Sequence, residues 1–263
     1  MTLAISVVNP EGIVVAGESR QTFTMAGVPR IGSDSARKVF DLTDGIVAAT
    51  AGWAFLRPQG AATPRSISSL IEDFRATIAP NASVQAVAQG LYTYFDAIYQ
   101  WHVGQGYDQP VPVGQVALQF FVGGYDQAAR VGQLFQCNVP GGALLARDTN
   151  NPGAQWIGQV DVVSRIIKGW DPRIMTLGFV QQAGQAAQQL ASLEYLINWP
   201  AITLQDAIDF AVAMIQITTS IQRFTSGIQM SPGDVPGVGG PIDIALARPA
   251  QQLTWVRRKE LHA

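Results

Sequence analysis

Short runs of apolar, mostly β-branched residues, separated by turn-forming residues, dominate the start of the chain. Residues 3–8 and 13–16 flank an Asn-Pro-Glu-Gly cluster, and this arrangement predicts a β-hairpin. Residues 38–41 and 46–50 flank a Thr-Asp-Gly turn and predict a second hairpin. Because these runs are continuous rather than alternating, we expect strands that are buried on both faces. The Gly-, Pro- and Ser-containing stretch over 22–36 predicts a loop between the hairpins.

Helical spacing of apolar residues begins after the second hairpin. Thr63 and Pro64 have the residue types of an N-cap and of a first helical position. Apolar side chains then recur on one helical face, at positions 67, 70, 71, 74 and 78, and Pro80-Asn81 ends the pattern. Further helices are predicted over 84–102, 159–167 and 174–197, and from Thr203 onward, where Thr-Leu-Gln-Asp is a variant of the capping box.

Strand patterns return in the middle and at the end of the chain. They cover residues 113–125, 130–137, 242–247 and 253–256, and a Gly- and Pro-rich loop over 231–241 precedes the last two. Groups of strands therefore alternate with groups of helices, which favours packed layers over a repeated βαβ unit. We predict an α+β fold.

Composition narrows the class of protein. The 263 residues are 48% hydrophobic and only 14% charged, which excludes a disordered chain. A net charge of −2 supplies no broad positive field for phosphates, so we expect no nucleic-acid partner. Since so few charges are available to cover a surface, we expect much of it to be buried against identical subunits in a homo-oligomer.

Cysteine and histidine usage limits cofactor chemistry. Cys137 is the single cysteine, and His102 and His262 are the two histidines, so we expect no disulfide, no metal site and no cofactor.

The first ten residues lack the basic region of a signal peptide. The uncharged stretch 174–193 carries five Gln and is too polar for a membrane span. We therefore expect a cytoplasmic protein without a membrane partner.

Familiar catalytic signatures are absent from the sequence, including Gly-rich phosphate loops, HExxH and the GxSxG elbow. His102 falls within an apolar helical pattern, which does not favour a Ser–His or Cys–His relay. The remaining nucleophile is Thr2, because removal of Met1 would leave a hydroxyl and a free α-amine on one residue. An α-amine has a pKa of about 7.7–8.0 and can act as a base near neutral pH.

A set of short segments follows Thr2: GIVVAGESR at 12–20, RKVF at 37–40, VAATAG at 47–52, FFVGGYD at 120–126 and GGPIDIA at 239–245. With Thr2 directly ahead of the first strand, these segments resemble the proteasome β-subunit-like family of N-terminal-nucleophile (Ntn) hydrolases. The start at Met-Thr is similar to the bacterial HslV and Anbu branches. The resemblance implies one domain over 1–263, folded as a four-layer αββα sandwich, with insertions near 170–200 and 227–238.

The resemblance also implies an activity and an assembly. It implies a threonine-type endopeptidase or amidase that acts on peptides or unfolded proteins through an acyl-enzyme on the N-terminal Thr. Identical subunits are expected to form a ring or an open spiral with the active sites facing inward. An ATPase unfoldase that feeds the chamber is left open as a partner.

Individual roles follow from the same resemblance. The catalytic set is Thr2, Glu18, Lys38 and Gly52, the substrate pocket is assigned to Gln21, Thr50 and Ala54, and Arg20 and Ser226 are expected in supporting roles. Lys38, paired with Glu18, would lower the pKa of the Thr2 hydroxyl and amine. The backbone N–H of Gly52 would stabilise an oxyanion.

Two departures from the family pattern leave three functions open. Gln159 stands where the family commonly has a Ser at the start of a helix. Residues 222–227 lack the Asp that commonly precedes a Ser-Gly pair, unless Asp234 replaces it. A threonine peptidase, an Ntn acyl transferase or ligase, and a catalytically inactive scaffold subunit are therefore all compatible with the sequence.

Overall fold

Groups of strands and helices alternate along the chain in the computed structural model, which describes residues 2–25, 28–127, 129–180, 182–228, 231–232 and 236–260. The strands are β1 Leu3–Asn9, β2 Gly12–Gly17, β3 Gln21–Met25, β4 Val28–Ser33, β5 Val39–Thr43, β6 Ile46–Gly52, β7 Phe55–Leu56, β8 Arg65–Ser66, β9 Leu118–Tyr125, β10 Gly132–Val139, β11 Gly142–Asp148, β12 Gly153–Gly158, β13 Gly227–Ile228, β14 Ser231–Pro232, β15 Asp243–Ala247 and β16 Thr254–Arg257. The α-helices are α1 Ile67–Arg75, α2 Val84–Gly104, α3 Asp161–Lys168, α4 Ala183–Leu190 and α5 Leu204–Phe224. Short 3-10 helices cover Pro172–Thr176, Ala191–Leu193 and Trp199–Ala201.

Ten of these strands form two antiparallel sheets of five strands each. The first sheet has the order β12-β1-β2-β15-β16, and the second has the order β11-β10-β9-β6-β5. The first predicted hairpin is therefore central in the first sheet, with Ala4 opposite Gly17. The second predicted hairpin forms one edge of the second sheet, with Val39 opposite Ala49. Both sheets thus contain a hairpin from the first fifty residues of the chain.

The continuous apolar pattern of β1 and β2 is explained by burial on both faces. Every residue of the two strands is buried. In β1, the side chains of Leu3, Ile5 and Val7 join a core that includes α3 and α5. Ala4 and Val8 point to the other face and join a core shared with the second sheet. The alternation of side chains along a strand therefore places apolar residues in two different cores, and the expectation of strands buried on both faces is confirmed for this hairpin.

Helices cover the remaining faces of the sheets. Buried residues of α3 and α5, including Val163, Ala211 and Ile215, pack on β1, β2 and β15. On the second sheet, α1 and α2 contribute Leu70 and Phe95, among others, to a core with β5, β6, β9 and β10. The predicted capping box begins α5: Thr203 accepts a hydrogen bond from the backbone N–H of Asp206, whose carboxylate accepts one from the Thr203 N–H. The α+β class is confirmed by these elements.

Two predictions for residues 22–75 were wrong. Residues 22–36 are not only loop, because β3 and β4 pair within that range as a separate two-stranded sheet. The first helix begins three residues after Pro64, with Ser66 as its N-cap. Ser66 accepts a hydrogen bond from the backbone N–H of Ser69. It is therefore the N-cap that Thr63 was predicted to be.

The longest predicted segments also differ from the structure. The strand predicted over 113–125 begins only at Leu118. The segment 174–197 is not one helix, because α4 is flanked by two short 3-10 helices. The segment is too polar to pack as one long core helix. Strands β11 and β12 were not predicted, although β12 borders β1. Within the described ranges, no helix combines the length and the apolar character needed to cross a bilayer.

The packing of α2 on the second sheet gives a first test. Phe95 and Phe120 are both fully buried, with ring centroids 4.6 Å apart. We expect Phe95→Ala to lower the free energy of unfolding by about 3–5 kcal/mol, because it leaves a cavity in a close-packed core. Phe179→Ala is the matched control, since Phe179 is 72% exposed and its truncation should cost less than about 0.5 kcal/mol. Urea denaturation measures both, and equal losses would contradict this packing.

Candidate active site

The candidate site lies where strand ends from both sheets meet. Thr2 directly precedes β1 and Glu18 directly follows β2, so the antiparallel hairpin brings the two to one end of the first sheet. Lys38 directly precedes β5 and Gly52 ends β6, its neighbour in the second sheet. A Cβ atom on Gly17 would lie 3.0 Å from Val39, which shows how closely the two sheets approach there. Four residues far apart in sequence are thereby brought together.

The Lys38 ammonium is the centre of the site. It donates one hydrogen bond to Thr2 Oγ1 at 2.7 Å and one to Glu18 Oε1 at 2.5 Å. A third donor is directed at the backbone carbonyl of Arg20. An ammonium has three donors and no acceptor, so all of its hydrogen-bonding capacity is used. The Thr2 hydroxyl therefore lies against a positive charge.

Glu18 is fully buried behind Lys38. Its Oε2 atom accepts hydrogen bonds from the backbone N–H of Arg20 at 2.6 Å and of Gly239 at 3.0 Å. Burial raises the pKa of Glu18, and the Lys38 charge and these two donors oppose the rise. Both carboxylate oxygens are thus held by the fold, which orients the group towards Lys38.

Burial also acts on Lys38, whose side chain is 7% exposed. Desolvation lowers the pKa of Lys38, and the charge and hydrogen bond of Glu18 oppose that change. Buried ionisable groups with such competing influences are more common at functional sites than elsewhere. The site therefore holds an ammonium that is easier to deprotonate than that of an ordinary lysine.

Thr2 is positioned through its own backbone as well as its side chain. Its carbonyl oxygen accepts a hydrogen bond from the backbone N–H of Gln159 at 2.7 Å. Gly158 has a φ of +90°, and a Cβ atom there would lie 1.8 Å from the Thr2 oxygen. A side chain at this position would therefore displace Thr2, so the close approach requires glycine.

Gly52 is constrained in the same way on the other sheet. Its φ is +111°, and a Cβ atom would lie 2.2 Å from the carbonyl oxygen of Ala117. That carbonyl accepts a hydrogen bond from the Trp53 N–H at 2.9 Å. Gly52 is the last residue of β6 and is exposed at the rim of the site.

A cavity adjoins Thr2. Its wall includes most of the residues predicted for the site: Thr2, Arg20, Gln21, Lys38, Thr50, Gly52 and Ala54. Glu18 is fully buried and is not part of this wall. The Arg20 side chain is paired with Asp34 by two hydrogen bonds, at 2.7 and 2.9 Å, and so braces the neighbouring loop.

Two predicted residues are not brought into this cavity. Ser226 is exposed and is not part of the cavity wall. Asp234 lies outside the described residues, as does Met1. The structure instead joins Gln159 to Gln222, whose side-chain amide donates to Gln159 Oε1 at 2.9 Å. The two glutamines are 63 residues apart in the chain, and no sequence pattern indicated that they would be in contact.

Two further side chains with basic or nucleophilic character, His102 and Cys137, are buried away from this cavity. His102 is buried in α2, where Nδ1 accepts the Arg57 N–H at 2.8 Å and the other ring nitrogen lies 2.8 Å from Asp108. Burial raises the pKa of the Cys137 thiol to about 12, which keeps it protonated. Within the described part of the chain, no group of three or more His, Cys, Asp or Glu side chains is placed to hold a metal ion.

No protein-family model matches the chain, and no curated protein matches it. The chemistry of the site is therefore inferred from its geometry.

The buried ion pair gives a second test. We expect Glu18→Gln to lower the free energy of unfolding by about 3–5 kcal/mol, because it leaves the Lys38 charge buried without a counter-charge. The double variant Glu18→Gln/Lys38→Met removes both charges and should recover most of that loss. Asp73→Asn is the control, since the Arg65–Asp73 pair is 37% and 46% exposed and should contribute less than about 1 kcal/mol. A single and a double variant of equal stability would contradict this account.

Proposed function

We propose that the protein is a proteasome-like, Ntn-type threonine hydrolase that cleaves peptide or amide bonds. The observation that carries the proposal is the hydrogen bond from Lys38 to Thr2 Oγ1, at the mouth of a cavity and with Glu18 behind it. A hydroxyl held against a buried ammonium is easier to ionise than a free one. The cavity wall beside Thr2 carries the small or polar residues Gln21, Thr50 and Ala54, none of them charged.

The proposed reaction begins after removal of Met1. The free α-amine of Thr2 accepts the proton of Oγ1, which attacks the substrate carbonyl carbon. Lys38 stabilises the developing charge on Oγ1, and the Gly52 N–H donates to the oxyanion. The ammonium of Thr2 then gives its proton to the leaving amine, and an ester of Thr2 remains. Water, deprotonated by the α-amine, hydrolyses the ester and restores the hydroxyl.

The packing of the elements supports the finer fold assignment. One core lies between the two sheets, and two further cores join each sheet to its helices. We propose that these are the interior of a four-layer αββα sandwich of the Ntn type. Such a fold places the ends of central strands at one edge, where an N-terminal nucleophile can meet groups from both sheets.

A scaffold subunit without catalysis is the second candidate. The contact between Gln159 and Gln222 favours it, because two neutral amides stand near Thr2 where an acid would orient the amine. An acyl transferase or ligase would share the first half of the reaction but pass the acyl group to an amine. The alternatives differ in what they predict for Thr2 and for the product.

The reaction is tested by substitution of the nucleophile. We expect Thr2→Ala to reduce peptide turnover by roughly 10³-fold or more, because no acyl-enzyme can form. Thr2→Ser is the matched control and should retain measurable turnover, since it keeps the hydroxyl and the amine. The measurement is the release of a fluorophore from a peptide amide, with the intact mass of each sample read for loss of Met1.

Three results separate the candidates. Loss of Met1 together with hydrolysis that depends on Thr2 supports the hydrolase. A product in which an added amine replaces water supports the transferase. Retention of Met1 in the natively expressed protein, with no turnover, would overturn the mechanism and favour the scaffold. Turnover unchanged in Thr2→Ala would also overturn the mechanism, because Thr2 would not be the nucleophile.

Self-assembly is the proposed quaternary state. Several large apolar side chains are exposed, including Leu144 at 70%, Leu196 at 101% and Phe224 at 81%. Exposed apolar residues are neighbours in two places, Leu144 with Leu145 and Tyr195 with Leu196, and contiguous apolar surface marks sites of association in soluble proteins. We expect analytical ultracentrifugation to give a mass several times the 28.2 kDa of one chain. A sample that sediments as a monomer over the micromolar range would contradict this.

A further inference from the structure

A second buried ion pair lies beside the candidate active site. The side chains of Asp243, at the start of β15, and Lys259, after β16, are 3% and 10% exposed. The Lys259 ammonium contacts Asp243 Oδ2, and the Lys259 backbone N–H donates to Asp243 Oδ1 at 2.8 Å. Charged groups are rarely buried to this extent without a compensating role.

This second pair is linked to the chain around Glu18 through Ser19. The Lys259 ammonium donates to Ser19 Oγ at 2.9 Å, and Ser19 Oγ donates to the carbonyl of Pro241 at 2.7 Å. The Ser19 N–H donates to the carbonyl of Gly239 at 3.0 Å, and Gly239 returns its own N–H to Glu18 at 3.0 Å. Asp243 itself is the register partner of Gly17. The pair thus contacts the chain on either side of Glu18.

We propose that Lys259 is a positioning residue of the active site: paired with Asp243, it fixes the segment that carries Glu18 and adds a second ammonium beside that of Lys38. It touches neither Thr2 nor the cavity in front of Thr2. Its effect on a substrate would therefore pass through Glu18 and Lys38.

The electrostatic consequence follows from the charges that surround Lys38. Glu18 favours its ammonium, whereas the positive charges of Lys259 and Arg20 disfavour it and add to the effect of burial in lowering the pKa of Lys38. Asp34, paired with Arg20, is a further charge within range. Removal of the Lys259 charge takes a positive charge away from Lys38 and leaves the Asp243 carboxylate without a counter-charge. Both effects favour the Lys38 ammonium. The pKa of Lys38 should then rise.

The catalytic meaning of this inference rests on the proposed function. If the Thr2 amine is the base and the Lys38 ammonium supports the nucleophile, loss of the Lys259 charge raises the pKa of both groups. Both limbs of the pH profile of kcat/KM should then move to higher pH. A role in folding alone would change the amount of active protein and leave these limbs in place.

The titration of Lys38 tests the inference independently of turnover. The chain has only three lysines, Lys38, Lys168 and Lys259, so lysine labelled with ¹³C at Cε gives three signals. The measurement uses full-length Thr2→Ala protein, which needs no activity. We expect Lys259→Gln to raise the Lys38 titration midpoint by at least about 0.5 pH unit. Lys259→Arg, which keeps the charge, should leave the midpoint near its original value.

Asp243→Asn is the second variant, and it must act in the opposite direction. It removes a negative charge and leaves the ammonium of Lys259, whose own signal reports its charge state in the same spectrum. We expect the Lys38 midpoint to fall. A midpoint unchanged by Lys259→Gln, or an upward shift in Asp243→Asn, would overturn the inference. An equal shift in Lys259→Arg and Lys259→Gln would also overturn it, because charge would not be the cause.

The pH profile completes the experiment in the active protein. Lys259→Gln should shift both limbs upward, and Lys168→Gln, which removes a charge elsewhere, should not. If the unmodified protein shows no turnover, the proposed function fails while the titration still decides the role of Lys259. If turnover is present and the titration midpoint does not move, the inference fails while the proposed function stands.

Discussion

Burial of the Lys38 ammonium is the constraint on which the rest of the site depends. A charge that is taken out of water must be neutralised and fully hydrogen-bonded, or the fold loses several kcal/mol. Three acceptors meet this need, and they come from Thr2, from Glu18 and from the backbone of Arg20. Because Thr2 is one of the three, the requirement that stabilises Lys38 also holds the candidate nucleophile in place.

Strand packing makes these contacts possible. The two sheets approach closely at Gly17, where a Cβ atom would lie 3.0 Å from Val39, and within each sheet glycine is required at Gly52 and Gly158, where a Cβ atom would collide with a carbonyl oxygen next to the neighbouring strand. The close approach brings backbone donors and acceptors from several elements to one point. The site is thus built largely from main-chain groups at strand ends, whose positions are set by the register of the sheets rather than by side-chain rotamers.

The charged groups of the site form pairs of opposite sign, in a chain that has few charged residues. Glu18 and Lys38 form one buried pair, and Asp243 and Lys259 form another that reaches the same segment through Ser19. Each pair is neutral as a whole, but burial still disfavours the charged forms of Glu18 and Lys38, and the Lys259 charge adds to that effect on Lys38. The resulting field is local, and it acts on the few groups within reach of Thr2.

The sequence by itself determined the apolar strands of the two hairpins, the capping box at Thr203 and the α+β class, because these depend on residues within a few positions of one another. It also singled out Thr2 as a candidate nucleophile, and the resemblance to a known family added Glu18, Lys38 and Gly52, although their meeting at one point needed the fold. The hairpin of β3 and β4, the late start of β9 and the contact of Gln159 with Gln222 were decided by tertiary structure. The pairing of Lys259 with Asp243 was also decided by tertiary structure. In each case the deciding partner lies on another strand, helix or loop, and local patterns of polarity carry no information about which distant segments pack together.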